Sequence, residues 1–294
     1  MARYFKKMHD SRQDYEVDRD TAEKVLGRNY PWYRPRGNDP GYFAVCSRCD
    51  NPVRLIGLYT GGVTPHGRHV GRPKDGFPYF DRISNDFCAY DRPRVINKAD
   101  RRDISEFGRK IIRIAIEEFD RIIYVLSQTL GFHISTTLAE EMLRDWLAEE
   151  GYLYTGAHLR NVPWMIAYFS RRQSLFGRPI WGNDELVAAI QENEPNATFE
   201  RQALAKGDAF YSVTFEFIGH RTRPLPDAKT EESVTMRVFG TAPWGGEAPL
   251  ILEQQVVFDD ARFAALMNTA PERAQRNDRL LAIAQRVGGH LVGK

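Results

Sequence analysis

All three cysteines of the chain lie between residues 46 and 88, and that placement constrains the fold more than any other feature of its 294 residues. The surrounding segment is rich in Pro, Gly, Arg and Tyr, with turn signals at Arg36-Gly37-Asn38, Asp39-Pro40-Gly41, Gly61-Gly62 and Asp75-Gly76. A stretch with so little periodicity needs another source of order, and a bound metal supplies one.

Cys46-Ser47-Arg48-Cys49 has the spacing that lets both thiolates of a tight knuckle face one tetrahedral ion. Residues 51–59 read as a strand, followed by a turn at Gly61-Gly62, then His66-Gly67-Arg68-His69, and finally Cys88 in Phe87-Cys88-Ala89-Tyr90. The expected ligands are Cys46, Cys49, His69 and Cys88, with His66 as the alternate, and the expected cofactor is Zn2+. His69 is favoured because the Gly67-Arg68 spacer brings it back toward the ion. Three thiolates and one imidazole leave no position for water, so the expected role is folding rather than catalysis. The competing reading is three buried, unligated cysteines; the loop-rich surroundings weigh against it. A redox pair at Cys46 and Cys49 lacks the strand and helix pattern of a thioredoxin-like site.

The pattern Cys46-x-x-Cys49, Pro52-Val53, Gly57, His66-x-x-His69 and Cys88-Ala89-Tyr90 resembles the N-terminal zinc-binding region of CoiA-like competence proteins, over about residues 41–92. It departs at Gly67-Arg68, where the family usually has Phe-Ala, and at Ala89, where it usually has Pro. The resemblance implies a DNA-related role. Many members continue into a restriction-endonuclease-like domain, which needs an Asp and then Glu-x-Lys on a following strand. Here Glu216 is followed by Phe217-Ile218 and Glu231-Glu232 by Ser233-Val234, so nuclease activity does not carry over.

At 42% hydrophobic and 27% charged residues the chain has the composition of an ordinary globular protein of at least two units. A net charge of +2, from 41 basic and 39 acidic residues, implies no polyanion partner by itself. There is no run of eighteen apolar residues and the first twenty residues are charged, so the expected protein has no membrane span or secretory signal and resides in the cytoplasm.

The expected class is α+β, with a loop-rich zinc-stabilised module at 1–100, a helical region at 101–192 and a region of antiparallel strands with helices at 193–294. Apolar periodicity predicts helices over 103–130, with Asp103 and Glu106 at its start and Gly131 as its stop, then over 137–150, 163–176 and 184–191. Period-two alternation at Tyr211, Val213, Phe215 and Phe217 and at Val234, Met236 and Val238 predicts strands, with loops at 224–230 and 242–248. Helices are expected again near 260–268 and over 271–287.

Between residues 160 and 181 there is no acidic residue, while Arg160, Arg171, Arg172 and Arg178 interleave with Trp164, Tyr168, Phe169, Phe176 and Trp181. Cations for phosphates and rings for bases suit a nucleic-acid groove, and the expected contacts are Arg160, Arg171, Arg172, Arg178 and Trp181. The competing reading is an amphipathic helix with core aromatics and a solvated arginine face. Residues 136–169 also permit a helix-turn-helix, although 151–162 is long for its turn. His133, His158 and His220 have no acidic or histidine partner at ligand spacing and read as capping or surface residues.

The expected function is a zinc-binding accessory protein of nucleic-acid processing or genome defence. DNA or RNA and other proteins of a complex are its expected partners. A metal-dependent nuclease with a scattered acidic site and a protein-interaction scaffold are the alternatives.

Overall fold

The computed structural model describes residues 1–35, 41–91, 95–205, 207, 209–226, 230–244 and 246–292. The turns expected at 36–40 lie outside these, as do residues 227–229 and 245 within the two expected loops of the C-terminal region.

Residues 1–91, expected to be loop-rich, hold an antiparallel sheet. β1 (Tyr4–Lys6), β2 (Asp14–Glu16), β3 (Tyr33–Arg34), β4 (Gly41–Cys46), β5 (Pro52–Ile56) and β6 (His66–His69) run in the order β2-β1-β4-β5-β6, with β3 beside β4. Helix α1 (Arg19–Leu26), capped by Asp18, and α2 (Arg82–Asp86), capped by Asp81, complete this part. Gly67 stands at a close approach. Its backbone exchanges hydrogen bonds with Ala2 at 2.8 and 2.7 Å, and a Cβ there would lie 3.1 Å from that of Ala2.

The helical middle comprises α3 (Glu106–Glu117), α4 (Phe119–Leu130), α5 (Thr136–Ala148) and α6 (Val162–Phe169). The single helix expected over 103–130 is broken at Glu118, with no proline or glycine to mark the break. The buried Glu118 carboxylate is held by Arg121 at 2.8 Å and approached by Arg12 and Arg276. Ser105, not Asp103, caps α3, and Gly131 closes α4 in the left-handed conformation as expected. Helix α6 stops at Phe169 rather than 176. Ser170 is extended, Arg171 N–H donates to Asp145 at 2.9 Å, and β7 (Gln173–Ser174) pairs with a later strand.

After α7 (Asp184–Asn193) and the small hairpin of β8 (Thr198–Glu200) and β9 (Ala203–Ala205) come β10 (Thr214–Pro224), β11 (Thr230–Phe239) and β12 (Leu250–Val257). They form an antiparallel sheet in the order β12-β11-β10-β7. α8 (Asp260–Met267) and α9 (Asp278–Gly288) end the chain, the latter starting well after the expected 271. The α+β class is therefore as expected. One apolar core runs from Ala2 and Phe5, through Ile111, Leu126 and Trp164, to Phe215, Val238 and Ala284, crossing both expected region boundaries.

Candidate metal centre

The Cys46-x-x-Cys49 knuckle is the tip of the β4–β5 hairpin. Cys46 N–H donates to Asn51 O at 2.9 Å and Asp50 N–H to Cys46 O at 3.0 Å. Asp50 sits at φ 60°, which Asp tolerates better than most residues; its buried carboxylate is held by Lys6 and, at 2.9 Å, by Lys110. Asn51 ties the knuckle to the segment that brings the last cysteine. Its side chain donates to Cys49 O and Ser84 Oγ at 3.0 and 2.8 Å and accepts from Asp81 N–H at 2.8 Å. That seats α2, and Cys88 follows directly after it.

The β5–β6 register decides between the two histidines. His69 lies opposite Val53, near the knuckle, while His66 lies opposite Ile56 at the far end, its Nδ1 2.9 Å from Thr64 O. Ligand atoms of Cys46, Cys49, His69 and Cys88 all lie within 4.8 Å of one another. Cys46 and Cys88 Sγ are 3.9 Å apart and Cys49 Sγ is 3.2 Å from His69 Nε2. A tetrahedral ion with Zn–S of about 2.3 Å sets sulfur atoms roughly 3.8 Å apart, so the donors stand close to the edges such an ion requires. All four side chains are at most 3% exposed. These residues can hold one metal ion.

The electrostatics point the same way. Burial and its two thiol neighbours push Cys49 well up. Burial opposes ionisation of Cys46 too, but bonds from Cys49 and Cys88 and the nearby His69 hold it well below the usual thiol range. Burial would lower His69, yet the Cys88 and Cys46 thiolates raise it well above an ordinary imidazole. Binding a metal ion would require all three thiols to be deprotonated, and a divalent cation would compensate their charge.

The chain matches no family model, no curated protein and no solved structure.

A second buried polar cluster, which sequence spacing did not reveal, adjoins the knuckle. His158 Nε2 and His220 Nε2 each lie 2.8 Å from an oxygen of Glu232. Asn161 donates to Glu232 at 2.7 Å, and Tyr154 Oη lies 2.9 Å from His220 Nδ1. His158 and His220, expected at caps or on the surface, are thus buried and paired. Alternation along β10 would turn His220 outward; a bulge between Ile218 and Arg221, with Gly219 at φ 65°, reverses the pattern and turns it in. Partners 12 and 74 residues apart left no signal in linear spacing. Burial would raise Glu232, but His158 and Arg48 hold it well below the usual carboxylate range.

The expected nucleic-acid face does not form as one surface. Arg160 is 2% exposed and bonds Asp14 at 2.8 Å, with Asp260 at 3.4 Å, so it cannot meet phosphates. Arg171 faces Asp145 at 3.4 Å and Arg172 meets Glu216 at 3.1 Å over the ring of Phe239. Arg178 is bonded to Ser174 O and Ser135 Oγ. Trp164, Tyr168 and Phe169 are core, as the competing reading had it, and Trp181 stays 44% exposed. Every residue of α6 is buried, so it is no recognition helix. Among the described residues no helix is long and apolar enough to cross a membrane.

Proposed function

We propose that the chain is an accessory protein of nucleic-acid processing or genome defence in which a zinc ion staples the β4–β5 knuckle to β6 and to the turn after α2. The observation that carries the metal part is the convergence of Cys46, Cys49, His69 and Cys88 in one buried cluster. Soft thiolate donors with one imidazole favour zinc over magnesium, calcium or manganese. A four-ligand set leaves no open position, which assigns the ion to structure. The nucleic-acid part is supported by the resemblance of residues 41–92 to CoiA-like proteins and by exposed Trp181. A nuclease needs carboxylates converging on a catalytic ion; Asp50, Asp14, Glu232 and Asp260 are instead bound by Lys6 and Lys110, by Arg160 and by Arg48.

Elemental analysis of protein purified without chelator tests the metal assignment, with about one zinc per chain expected from the ligand count. Protein that is folded and free of zinc and other transition metals overturns it. Salt-dependent binding of labelled oligonucleotides tests the second part, and no binding at low salt overturns that.

A further inference from the structure

Trp181 is the one aromatic residue among the expected nucleic-acid contacts, and it stays exposed, in surroundings that differ from those of the arginines before it. It stands at the mouth of a groove of about 580 Å³ between α4, the start of α5 and the link from α8 to α9, a size common for sites that take small molecules. His133 lies beside it, ring centroids 6.2 Å apart, and Tyr124, 48% exposed, lines the same groove. The two loops that carry Trp181 and His133 are clamped together. Phe132 forms a β-bridge with Ile180. The Trp181 and Gly182 N–H groups donate to Gly131 O, and His133 N–H donates to Pro179 O at 2.8 Å. The rings are therefore presented on a fixed frame.

The groove also has a polar lining, in which the Asp120 carboxylate is taken up by Arg276 at 2.8 Å. Gln128, Gln275 and Arg273 line the groove with no side-chain partner among the described residues. Outside the groove lining, Arg262 Nη2 donates to the phenol oxygen of Tyr124 at 3.1 Å. Stacking rings, amides that both donate and accept, and an arginine without an acidic partner are what a base with its phosphate needs. A purely apolar ligand would leave the amides and Arg273 without partners.

We infer that this groove, framed by Trp181, His133 and Tyr124, binds a segment of single-stranded nucleic acid, a base stacking on the rings and a neighbouring phosphate meeting Arg273. The inference rests on the nucleic-acid part of the proposed function and relocates it from Arg171, Arg172 and Arg178 to the groove that Trp181 lines. A duplex, whose bases are stacked on each other, offers no free ring face.

The test is fluorescence anisotropy of an end-labelled single strand of about 12 nucleotides, within the usual site sizes, titrated with full-length metal-replete protein across a salt series. Its duplex form serves as competitor. The expected result is preference for the strand and a loss of about five- to 150-fold in affinity for Trp181→Ala, the range of one stacked base, at little change in salt slope. Arg273→Ala should reduce that slope by about 0.7, and Trp244→Ala, fully exposed outside the groove, should change neither. If Trp181→Ala melts early, Trp181→Phe with near-parental binding and His133→Ala with weakened binding carry the same test. A strand that binds with parental affinity and slope to both the Trp181 and Arg273 variants removes the groove while leaving a nucleic-acid role elsewhere. A parent that binds the duplex but no strand also removes the groove alone, and one that binds neither removes both.

Discussion

Arg48, held between the two knuckle cysteines, donates through Nη2 to Asp260 at 2.8 Å, joining residues 212 positions apart. The same guanidinium meets Glu232 at 3.1 Å and lies over the ring of Tyr90 at 4.0 Å. The knuckle therefore has two roles in one turn: its cysteines face the metal position and its intervening arginine reaches the C-terminal sheet and α8.

Arg48→Met removes the cation from Glu232 and Asp260 while keeping an apolar stem of similar length. Both carboxylates are then left buried with less compensation, which typically costs about 3–5 kcal/mol. Arg160 still faces Asp260 and His158 still faces Glu232, so the lower end is expected. Urea unfolding with a lowered midpoint and unchanged slope is the readout. A parental midpoint would show that the arginine is dispensable to the fold.

Acid sensitivity follows from the same cluster. Glu232 and Asp260 are held below their ordinary values: burial opposes this in both, and Arg48 with His158 or Arg160 overcomes it. A depressed carboxylate stabilises above its unfolded value and loses that stabilisation as pH falls through the folded one. Burial lowers His158 as well, so its neutral form is favoured and the unfolded chain takes up a proton first, near pH 6.5. All three destabilise the fold toward acid, beginning below about pH 6.5 and steepening below the usual carboxylate range. Asp14 and Glu118, raised by burial, act with the opposite sign and soften the steepest part. Midpoints measured from pH 8 down to 4 should fall, and His158→Gln should flatten the first part of the decline. A midpoint flat between pH 7 and 5 would contradict the assignment.

The Cys46–Cys49 half of the candidate site was legible because knuckle spacing is a local property of the chain. The spacer favoured His69 over His66, and the β5–β6 register gives the reason the sequence lacked, since His69 lies opposite Val53 near the knuckle. The strand and helix content was legible from periodicity, but the break at Glu118 was not, since an ion cluster from distant elements makes it. Arg160 shows the main failure. A basic residue among aromatics looks the same in sequence whether phosphates or buried Asp14 and Asp260 neutralise it, and those partners lie 146 and 100 residues away. His220 was hidden by a one-residue bulge that alternation cannot anticipate.

Metal removal should be felt beyond residues 41–91. His69→Ala and Cys88→Ser should abolish stoichiometric zinc, whereas His66→Ala should keep it, because His66 sits at the far end of its hairpin. Without the ion the knuckle loosens, and Arg48 and Ser47 lose their fixed positions against Asp260 and Arg160. Hydrogen exchange after chelation should therefore rise in β4 and β5, and also around Glu232 and the first turn of α8. Retained zinc in both the His69 and Cys88 variants would remove the site; a response confined to residues 41–91 would show that the arginine bridge does not couple the two halves.

The frame beneath Trp181 depends on Gly131, and a matched glycine elsewhere separates two costs of replacing it. Gly131 has φ 71°, and a Cβ there would fall 2.6 Å from the carbonyl carbon of Gly182. Gly62 has φ 77°, and a Cβ there would meet nothing within 4 Å. Left-handed backbone costs an alanine about 1–2 kcal/mol at either site, but only Gly131→Ala must also push the 181–182 segment away. Gly62→Ala should lose about 1 kcal/mol, and Gly131→Ala clearly more, since a contact that short is against backbone rather than a movable side chain. The displaced loop carries Trp181, so the Gly131 variant should also shift tryptophan emission toward the red as the ring leaves His133. Equal losses for the two variants, with unchanged emission, would mean that the Gly131–Gly182 approach relaxes freely and does not position Trp181.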